Sequence, residues 1–224
     1  MQLQNSVKAL AWDLDGTILD SFGLYCDILT EVFDRNSIKV PDREVLRHDF
    51  HGKLEGCIAN AGNISGPLLD KVVADFLEVQ NPYYENLEGH IFPDALRLMQ
   101  RAHDKGLQQI VITNRAHVGR GNASPRHIAQ RSPLSGFISY VVCGDDNPFH
   151  KPDARMLDQA EHELGLQRSE LLVIGDQHVD AVLAQNLGVH AVLVNRSADA
   201  IPHLETLEDH KSYTTIVTSL DAVA

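Results

Sequence analysis

Cysteines are few in this sequence, and they are widely spaced. Cys26, Cys57 and Cys143 are odd in number, and none belongs to a CxxC pair. Such spacing predicts neither a disulfide framework nor a zinc site built from clustered cysteines. We therefore expect reduced thiols that are at least partly buried.

Positive charge is also scarce. The 224 residues include 19 Lys and Arg against 31 Asp and Glu, which gives a formal net charge of −12 at pH 7. Non-specific nucleic-acid binding needs a cationic face for the phosphates, so nucleic acid is not an expected partner. An anionic substrate would need positive charge concentrated at one place, from a metal ion or a well-placed lysine.

Long apolar runs are missing as well. No segment approaches the roughly eighteen uninterrupted apolar residues of a membrane span. The first residues also lack a basic region followed by an apolar segment and a cleavage site. We therefore expect no membrane association and a cytoplasmic location. With 43% apolar and 22% charged residues, the composition is that of a folded globular protein.

Apolar periodicity divides the chain into two kinds of segment. Residues 20–88 show helical patterns, such as the repeat between Tyr25 and Phe33, and no convincing strand. From residue 89 onward, short buried strands alternate with amphipathic helices, which is typical of a parallel sheet covered on both faces. The sequence thus predicts an α/β fold in which residues 1–19 and 89–224 form a doubly wound, mainly parallel sheet. Residues 20–88 are predicted to be an inserted α-helical domain.

Two carboxylates stand at the end of the first predicted strand. The apolar run 7–12 leads directly into Asp13-Leu14-Asp15-Gly16-Thr17, and open α/β sheets bind ligands at the carboxyl ends of their strands. A glycine there lets backbone N–H groups approach an anion, and a threonine adds a hydroxyl donor. Two acids so close repel each other unless a cation or a shared proton compensates. The segment is therefore either part of a metal site or a plain acidic turn.

Further polar groups follow the later predicted strands. In chain order they are Thr113-Asn114, Lys151-Pro152, and Gly175-Asp176 with Asp180. Asp176 and Asp180 are four residues apart and can share one helix face. Carboxylate oxygens suit Mg²⁺, while Lys151 can pair with an acid and with a phosphate oxygen.

These four segments, in this order, resemble the signature motifs of the haloacid dehalogenase superfamily of phosphohydrolases. The resemblance covers nearly the whole chain, and the helical insertion is similar to the cap of the subgroup that includes phosphoglycolate phosphatase and β-phosphoglucomutase. It implies a Rossmann-like core, Mg²⁺ as cofactor and a small phosphorylated metabolite as substrate. The sequence leaves open whether the protein is a monomer or a homodimer.

The same resemblance implies a role for each motif residue. Asp13 would attack phosphorus and carry a transient aspartyl phosphate, and Asp15 would protonate the leaving alcohol and then activate the hydrolytic water. Thr113 and Lys151 would hold the phosphoryl oxygens, assisted by the Asn114 amide. The implied metal site comprises Asp13, the backbone carbonyl of Asp15 and Asp176 as ligands, with Asp180 orienting the bound waters and Lys151.

Some segments depart from the family pattern or have no assigned role. Two glycines and a proline interrupt the helix expected after Asn114, so residues 115–124 are predicted to form a loop before a late helix at 126–131. Residues 51–53 either reach the substrate from the cap or simply break a helix. His178 is expected to be a surface or packed residue rather than a catalytic one.

Three functions stay open at this point. The leading one is a Mg²⁺-dependent phosphatase, and a phosphomutase of the β-phosphoglucomutase type would share every core residue while protecting the aspartyl phosphate from water. A non-catalytic binding protein would have lost at least one of the key residues, which are Asp13, Asp15, Lys151 and Asp176, and all are present. By the resemblance, an acid at position 15 argues against dehalogenase and phosphonatase chemistry, so Lys53 is not expected to form a Schiff base.

Overall fold

The computed structural model describes residues 6–50, 53–131, 133–196 and 213–223, apart from the side chain of Asp49. The chain divides into two compact units, Met1–Leu19 with Ile91–Ala224 and Asp20–His90. The sequence-based limits of the insertion, 20–88, end two residues before the smaller unit does.

Parallel strands form the sheet of the larger unit. They are β1 (Ala9–Trp12), β2 (Gln108–Ile112), β3 (Tyr140–Val142), β4 (Leu171–Gly175), β5 (His190–Val194) and β6 (Thr214–Val217). Their order across the sheet is β3-β2-β1-β4-β5-β6, and every neighbouring pair is parallel. The predicted doubly wound α/β fold is confirmed, and β6 forms one edge of the sheet.

Helices account for the rest of the regular structure in the described residues. Those of the smaller unit are α1 (Ser21–Arg35), α2 (Arg43–Asp49), α3 (Leu54–Gly62) and α4 (Gly66–Glu85). Those of the larger unit are α5 (Pro93–Asp104), α6 (Pro125–Ala129), α7 (Asp158–Leu164) and α8 (His178–Leu187). Within the described segments, no helix is both long enough and apolar enough to span a membrane.

One core cluster of the larger unit lies between the sheet and two of its helices. Alternate residues of the central strands point to the same face, so small Ala9 and Ala11 of β1 lie beside larger residues of β2 and β4. Leu183 and Leu187 of α8, and Ala160 of α7, pack against this face. The two alanines leave room for these helix side chains, which allows α7 and α8 to lie close to the centre of the sheet.

The register of the central strands brings three of the predicted motifs to one edge. Trp12 is level with Val111 of β2 and with Ile174 of β4. The strand order reverses between β1 and β4, and doubly wound sheets bind their ligands at such a reversal, outside the carboxyl ends of the strands. The residues that follow these strand ends are Asp13, Thr113 and Asp176.

The smaller unit is organised around aromatic side chains. The ring of Phe22 lies 5.2 Å from that of Phe50, and the Tyr25 ring lies 5.8 Å from that of Phe76, measured between centroids. The Arg47 guanidinium lies 4.1 Å from the Phe22 centroid, which adds a cation–π contact to the cluster. Residues 51 and 52, for which the sequence left two interpretations, lie outside the described residues.

Several element boundaries differ from the sequence-based expectations. Helix α4 continues through Pro82 to Glu85, although a proline inside a helix removes a backbone hydrogen bond and usually kinks or ends the helix. Strand β3 begins at Tyr140, three residues after the start of the apolar run at Phe137, and a 3₁₀ turn at Ala154–Leu157 directly precedes α7. In each case the apolar pattern identifies the element, while local hydrogen bonding determines where it starts and ends. The three cysteines are buried, as predicted, and none of them forms a disulfide.

An ion pair between the buried carboxylate of Asp94 and the partly buried guanidinium of Arg196 connects the loop after β1 to the start of α5. Arg196, just beyond β5, donates to both carboxylate oxygens of Asp94 at 2.7 Å and to the carbonyl of Thr17 at 2.9 Å. The Leu220 N–H also donates to Asp94, at 2.8 Å. Burial alone would raise the pKa of Asp94, but these donors outweigh it, so the pKa lies below its ordinary value.

We predict that Asp94→Asn lowers the free energy of unfolding at neutral pH by about 3 kcal/mol, because it leaves Arg196 without its charged partner. A lowered pKa in the folded state stabilises the protein above the unfolded-state pKa, and this contribution is lost as the pH falls through the folded-state value. Urea unfolding at a series of pH values should show the wild-type advantage shrinking in acid. If the difference in unfolding free energy between wild type and Asp94→Asn does not change with pH, the charge of Asp94 is not its source.

Candidate active site

A buried lysine lies between two buried aspartates at the carboxyl edge of the sheet. Lys151 Nζ donates to Oδ1 of Asp13 and, at 2.8 Å, to Oδ1 of Asp180. Asp13 directly follows β1, and its N–H donates to the Ile174 carbonyl of β4 at 2.7 Å. Because this bond continues the strand pairing, the backbone of Asp13 is held as firmly as the sheet itself.

A third carboxylate, that of Asp176, joins this pair. The Thr17 hydroxyl lies 3.5 Å from Oδ2 of Asp13 and 3.4 Å from Oδ1 of Asp176. Carboxylate oxygens of Asp13, Asp176 and Asp180 all lie within 4.8 Å of one another. The fold therefore brings Asp13 together with two acids that follow it by more than 160 residues in the sequence.

The electrostatics of this cluster are unbalanced. The pKa of Asp13 is raised to about 7. Burial is the main cause, the charge of Lys151 opposes it, and the neighbouring acids Asp180 and Asp15 add to it. Burial and the charge of Asp13 raise the pKa of Asp176 to about 8. The pKa of Lys151 is raised because the charges of Asp13 and Asp180 outweigh its burial. One ammonium group is thus shared by carboxylates that still repel each other.

Two glycines allow the carboxylates to approach the backbone this closely. Gly16 has a φ of +82°, and a side chain there would overlap the Asp176 carboxylate. A side chain at Gly175 would overlap the carboxylate of Asp180. Glycine is needed at position 16 for two reasons, since left-handed backbone and a close approach both exclude a Cβ atom.

Asn114 holds the backbone of Lys151. Its Oδ1 accepts from the Lys151 N–H at 2.8 Å, and its Nδ2 donates to the Lys151 carbonyl at 3.3 Å. The sequence assigns this amide to the phosphate, an assignment that stays a prediction. Thr113 is buried, and its Oγ1 accepts from the N–H of Arg115 at 3.1 Å. Because the hydroxyl oxygen accepts this bond, its hydrogen is available to a ligand.

Asp15 lies in an ion pair that the sequence did not predict. Arg115 Nε donates to its Oδ2 at 3.1 Å, and Arg115 Nη2 donates to its Oδ1. The side chain of Arg115 is 18% exposed and that of Asp15 is 31% exposed. The available signal is the position of Arg115 directly after Thr113-Asn114 at the end of β2, but the sequence pattern predicts only a loop over residues 115–124.

A sequence profile of the haloacid dehalogenase-like hydrolases matches residues 7–188. The chain belongs to this family. The match extends from the start of β1 through the smaller unit to the end of α8, and it includes every residue discussed above for the site.

Similar proteins of known name include phosphatases. A phosphoglycolate phosphatase of Rhodobacter capsulatus is 28% identical over 221 residues, covering 93% of this chain and 96% of the relative. Pyrophosphatase PpaX of Oceanobacillus iheyensis is 23% identical, covering 95% and 97%. Among solved structures, a putative β-phosphoglucomutase from Thermotoga maritima superposes with a TM-score of 0.75 at 16% identity, covering 96% of this chain and 95% of that one. This last likeness concerns the hydrolase fold.

We predict that Gly16→Ala lowers both stability and activity. The substitution strains a left-handed backbone and displaces Asp176, for a combined loss of roughly 2 kcal/mol in the free energy of unfolding. Gly106→Ala is a matched control, because Gly106 has a φ of +73° and no atom near the position of a new Cβ. It should lose stability while keeping its kcat. Equal kcat in both variants would contradict the importance of the Gly16–Asp176 approach.

Proposed function

We propose that this hydrolase is a Mg²⁺-dependent phosphatase that acts on the monoester of a small phosphorylated metabolite through an aspartyl phosphate on Asp13. The observation that carries the proposal is the buried Asp13–Lys151–Asp180 arrangement beside Asp176 at the reversal point of the sheet. The names of the similar phosphatase and pyrophosphatase support phosphoryl transfer to water.

The residues present fit a divalent cation. The carboxyl groups of Asp13, Asp176 and Asp180 face one ammonium group, that of Lys151, so that ionisation of all three leaves negative charge in excess. Oxygen donors of this kind are the ligands that Mg²⁺ prefers. When bound, the ion would neutralise phosphate charge and allow an anionic nucleophile to approach.

The hydrogen bonds of the site suggest which acids would hold the ion. Both oxygens of Asp180 already accept, one from Lys151 Nζ at 2.8 Å and the other from the Gln177 N–H at 3.2 Å. Asp180 therefore suits the role of fixing Lys151 and orienting bound water. Asp13 and Asp176, together with the Asp15 carbonyl, would be the ligands.

The first step transfers the phosphoryl group to the protein. An oxygen of the Asp13 carboxylate attacks phosphorus, the bond from phosphorus to the alcohol oxygen breaks, and the Asp15 carboxyl gives its proton to that oxygen. Thr113 and Lys151 hold the phosphoryl oxygens, so that attacking and leaving oxygens stay in line. The products are a free alcohol, an aspartyl phosphate and an Asp15 carboxylate.

The second step restores the enzyme. Asp15, now a carboxylate, takes a proton from water while the water oxygen attacks phosphorus, and the bond from phosphorus to Asp13 breaks. Inorganic phosphate leaves, Asp13 is a carboxylate again and Asp15 is again protonated. A phosphomutase would instead pass the phosphoryl group to another hydroxyl of the sugar, without releasing phosphate.

A phosphate-release assay separates these two activities. The candidate substrates are phosphoglycolate, sugar phosphates and pyrophosphate. With Mg²⁺ present, at least one of them should yield free phosphate. Isomerised sugar phosphate without phosphate release would instead establish the mutase.

Asp13→Asn should abolish phosphate release while preserving the fold. The amide is not a nucleophile for phosphorus, and removing a buried charge relieves repulsion from Asp176 and Asp180. Circular dichroism and thermal unfolding would check the fold beside the activity assay. Full activity in this variant would contradict the proposed mechanism.

Chelation of divalent cations should stop activity reversibly, and adding Mg²⁺ should restore it. Because the ion would offset the excess negative charge of the folded site, it should also stabilise the protein, by about 2.7 kcal/mol at a concentration of 100 times its Kd. Thermal unfolding with increasing Mg²⁺ measures this effect without substrate. An unfolding temperature that does not respond to Mg²⁺, with activity that survives chelation, would exclude the metal.

A further inference from the structure

The Arg115 guanidinium holds the side chain of Asp15 by two bonds. Nε and Nη2 of the arginine each donate to a different oxygen of the aspartate. This fork fixes the plane of a carboxylate as well as its position, which a single bond from a lysine cannot do. The Asp15 carboxyl is thereby held in one orientation at the edge of the sheet.

Arg115 is itself anchored on both sides. Its N–H donates to Thr113 Oγ1 at 3.1 Å, and its Nη1 donates to the Ala123 carbonyl at 3.1 Å. The guanidinium therefore joins the two ends of the segment 115–124, which the sequence could describe only as an interrupted helix.

The segment between these ends is fixed to the loop after β3. The N–H groups of His117 and Val118 donate to the two carboxylate oxygens of Asp145, at 2.7 and 2.8 Å. Ser124 Oγ lies 2.5 Å from Nδ1 of His117, which ties the far end of the segment to its beginning. The loop is thus built to hold a guanidinium in place.

We propose that Arg115 is a positioning residue that aligns Asp15 with the leaving oxygen of the substrate. The proposal rests on the function proposed above, in which Asp15 gives its proton to the alcohol as the bond from phosphorus to oxygen breaks. A stabilising role explains the pair less well, because partly exposed ion pairs contribute only about 0–1 kcal/mol to stability. The orientation of Asp15, by contrast, determines whether the proton reaches the leaving group.

Leaving-group dependence tests this role directly. An alkyl phosphate needs its departing alkoxide protonated, whereas p-nitrophenyl phosphate releases a stable phenolate without help. In Arg115→Gln, we expect kcat for an alkyl phosphate to fall about 100-fold, with little change in KM. The first-turnover burst of p-nitrophenol should keep the wild-type rate, because attack by Asp13 does not require Asp15. Arg115→Lys should recover part of the lost alkyl activity.

Two further variants keep the test decisive. Arg120→Gln removes an exposed arginine of the same segment and should leave both substrates unaffected. Asp145→Ala loosens the loop without touching the guanidinium, and it should produce a smaller loss with the same bias toward the alkyl substrate. It also serves as the test if Arg115→Gln does not fold.

The outcomes separate the inference from the function on which it rests. In Arg115→Gln, an equal loss in kcat for the alkyl phosphate and in the p-nitrophenol burst rate, or no loss in either quantity, would overturn the positioning role while leaving the phosphatase intact. Absence of both the burst and phosphate release in the wild-type protein would overturn the proposed function itself. A burst in wild type that disappears in Asp13→Asn establishes the nucleophile independently of Arg115.

Discussion

The site depends on the repulsion of two buried carboxylates, those of Asp13 and Asp180, and the partly buried carboxylate of Asp176 around one ammonium group. Asp13, Asp176 and Asp180 lie within reach of one another, and Lys151 pairs with two of them. Burial strengthens both the attraction and the repulsion, since little water is present to screen either. Such an arrangement is poor for the stability of the free protein. It is well suited to receive positive charge and, with it, a phosphate.

The scaffold withstands this repulsion because each acid is attached to a rigid element. Asp13 continues the pairing of β1 with β4, and Asp180 lies in the first turn of α8, where it accepts the N–H of Gln177. The loop between Asp13 and α1 is held from the other side by Arg196, which binds the Thr17 carbonyl and is itself paired with Asp94. Local strain is thus balanced by contacts outside the site.

The sequence predicted the fold well because strands and helices alternate with clear periodicity. The apolar run before Asp13 and the helix Ser21–Arg35 follow directly from residue pattern. The sequence also predicts that the four motifs lie close together, because parallel strands end at one edge of the sheet. Boundaries such as the start of β3 were less predictable, since they depend on hydrogen bonds rather than on hydrophobicity.

Side-chain partners could not be read from the sequence in the same way. Arg115 follows a motif that was recognised, yet its pairing with Asp15 spans 100 residues and depends on the folding of a glycine-containing loop. The sequence assigns the Asn114 amide to the phosphate, which stays a prediction, but it does not indicate the hydrogen bond that Asn114 accepts from the Lys151 backbone. Arg196 and Asp94 belong to none of the recognised motifs. Long-range polar pairs of this kind have no local period, so only the tertiary structure reveals them.

The most direct measurement is chemical trapping of the phosphorylated enzyme. Borohydride reduces an aspartyl phosphate to homoserine, so the enzyme quenched with borohydride during turnover should yield a peptide with homoserine at position 13. Peptide mass spectrometry would locate the modified residue. Homoserine at position 13 only in the presence of substrate and Mg²⁺ is the predicted result. Steady turnover with Asp13 unmodified, or with another acid modified in its place, would contradict the assignment of Asp13 as the nucleophile.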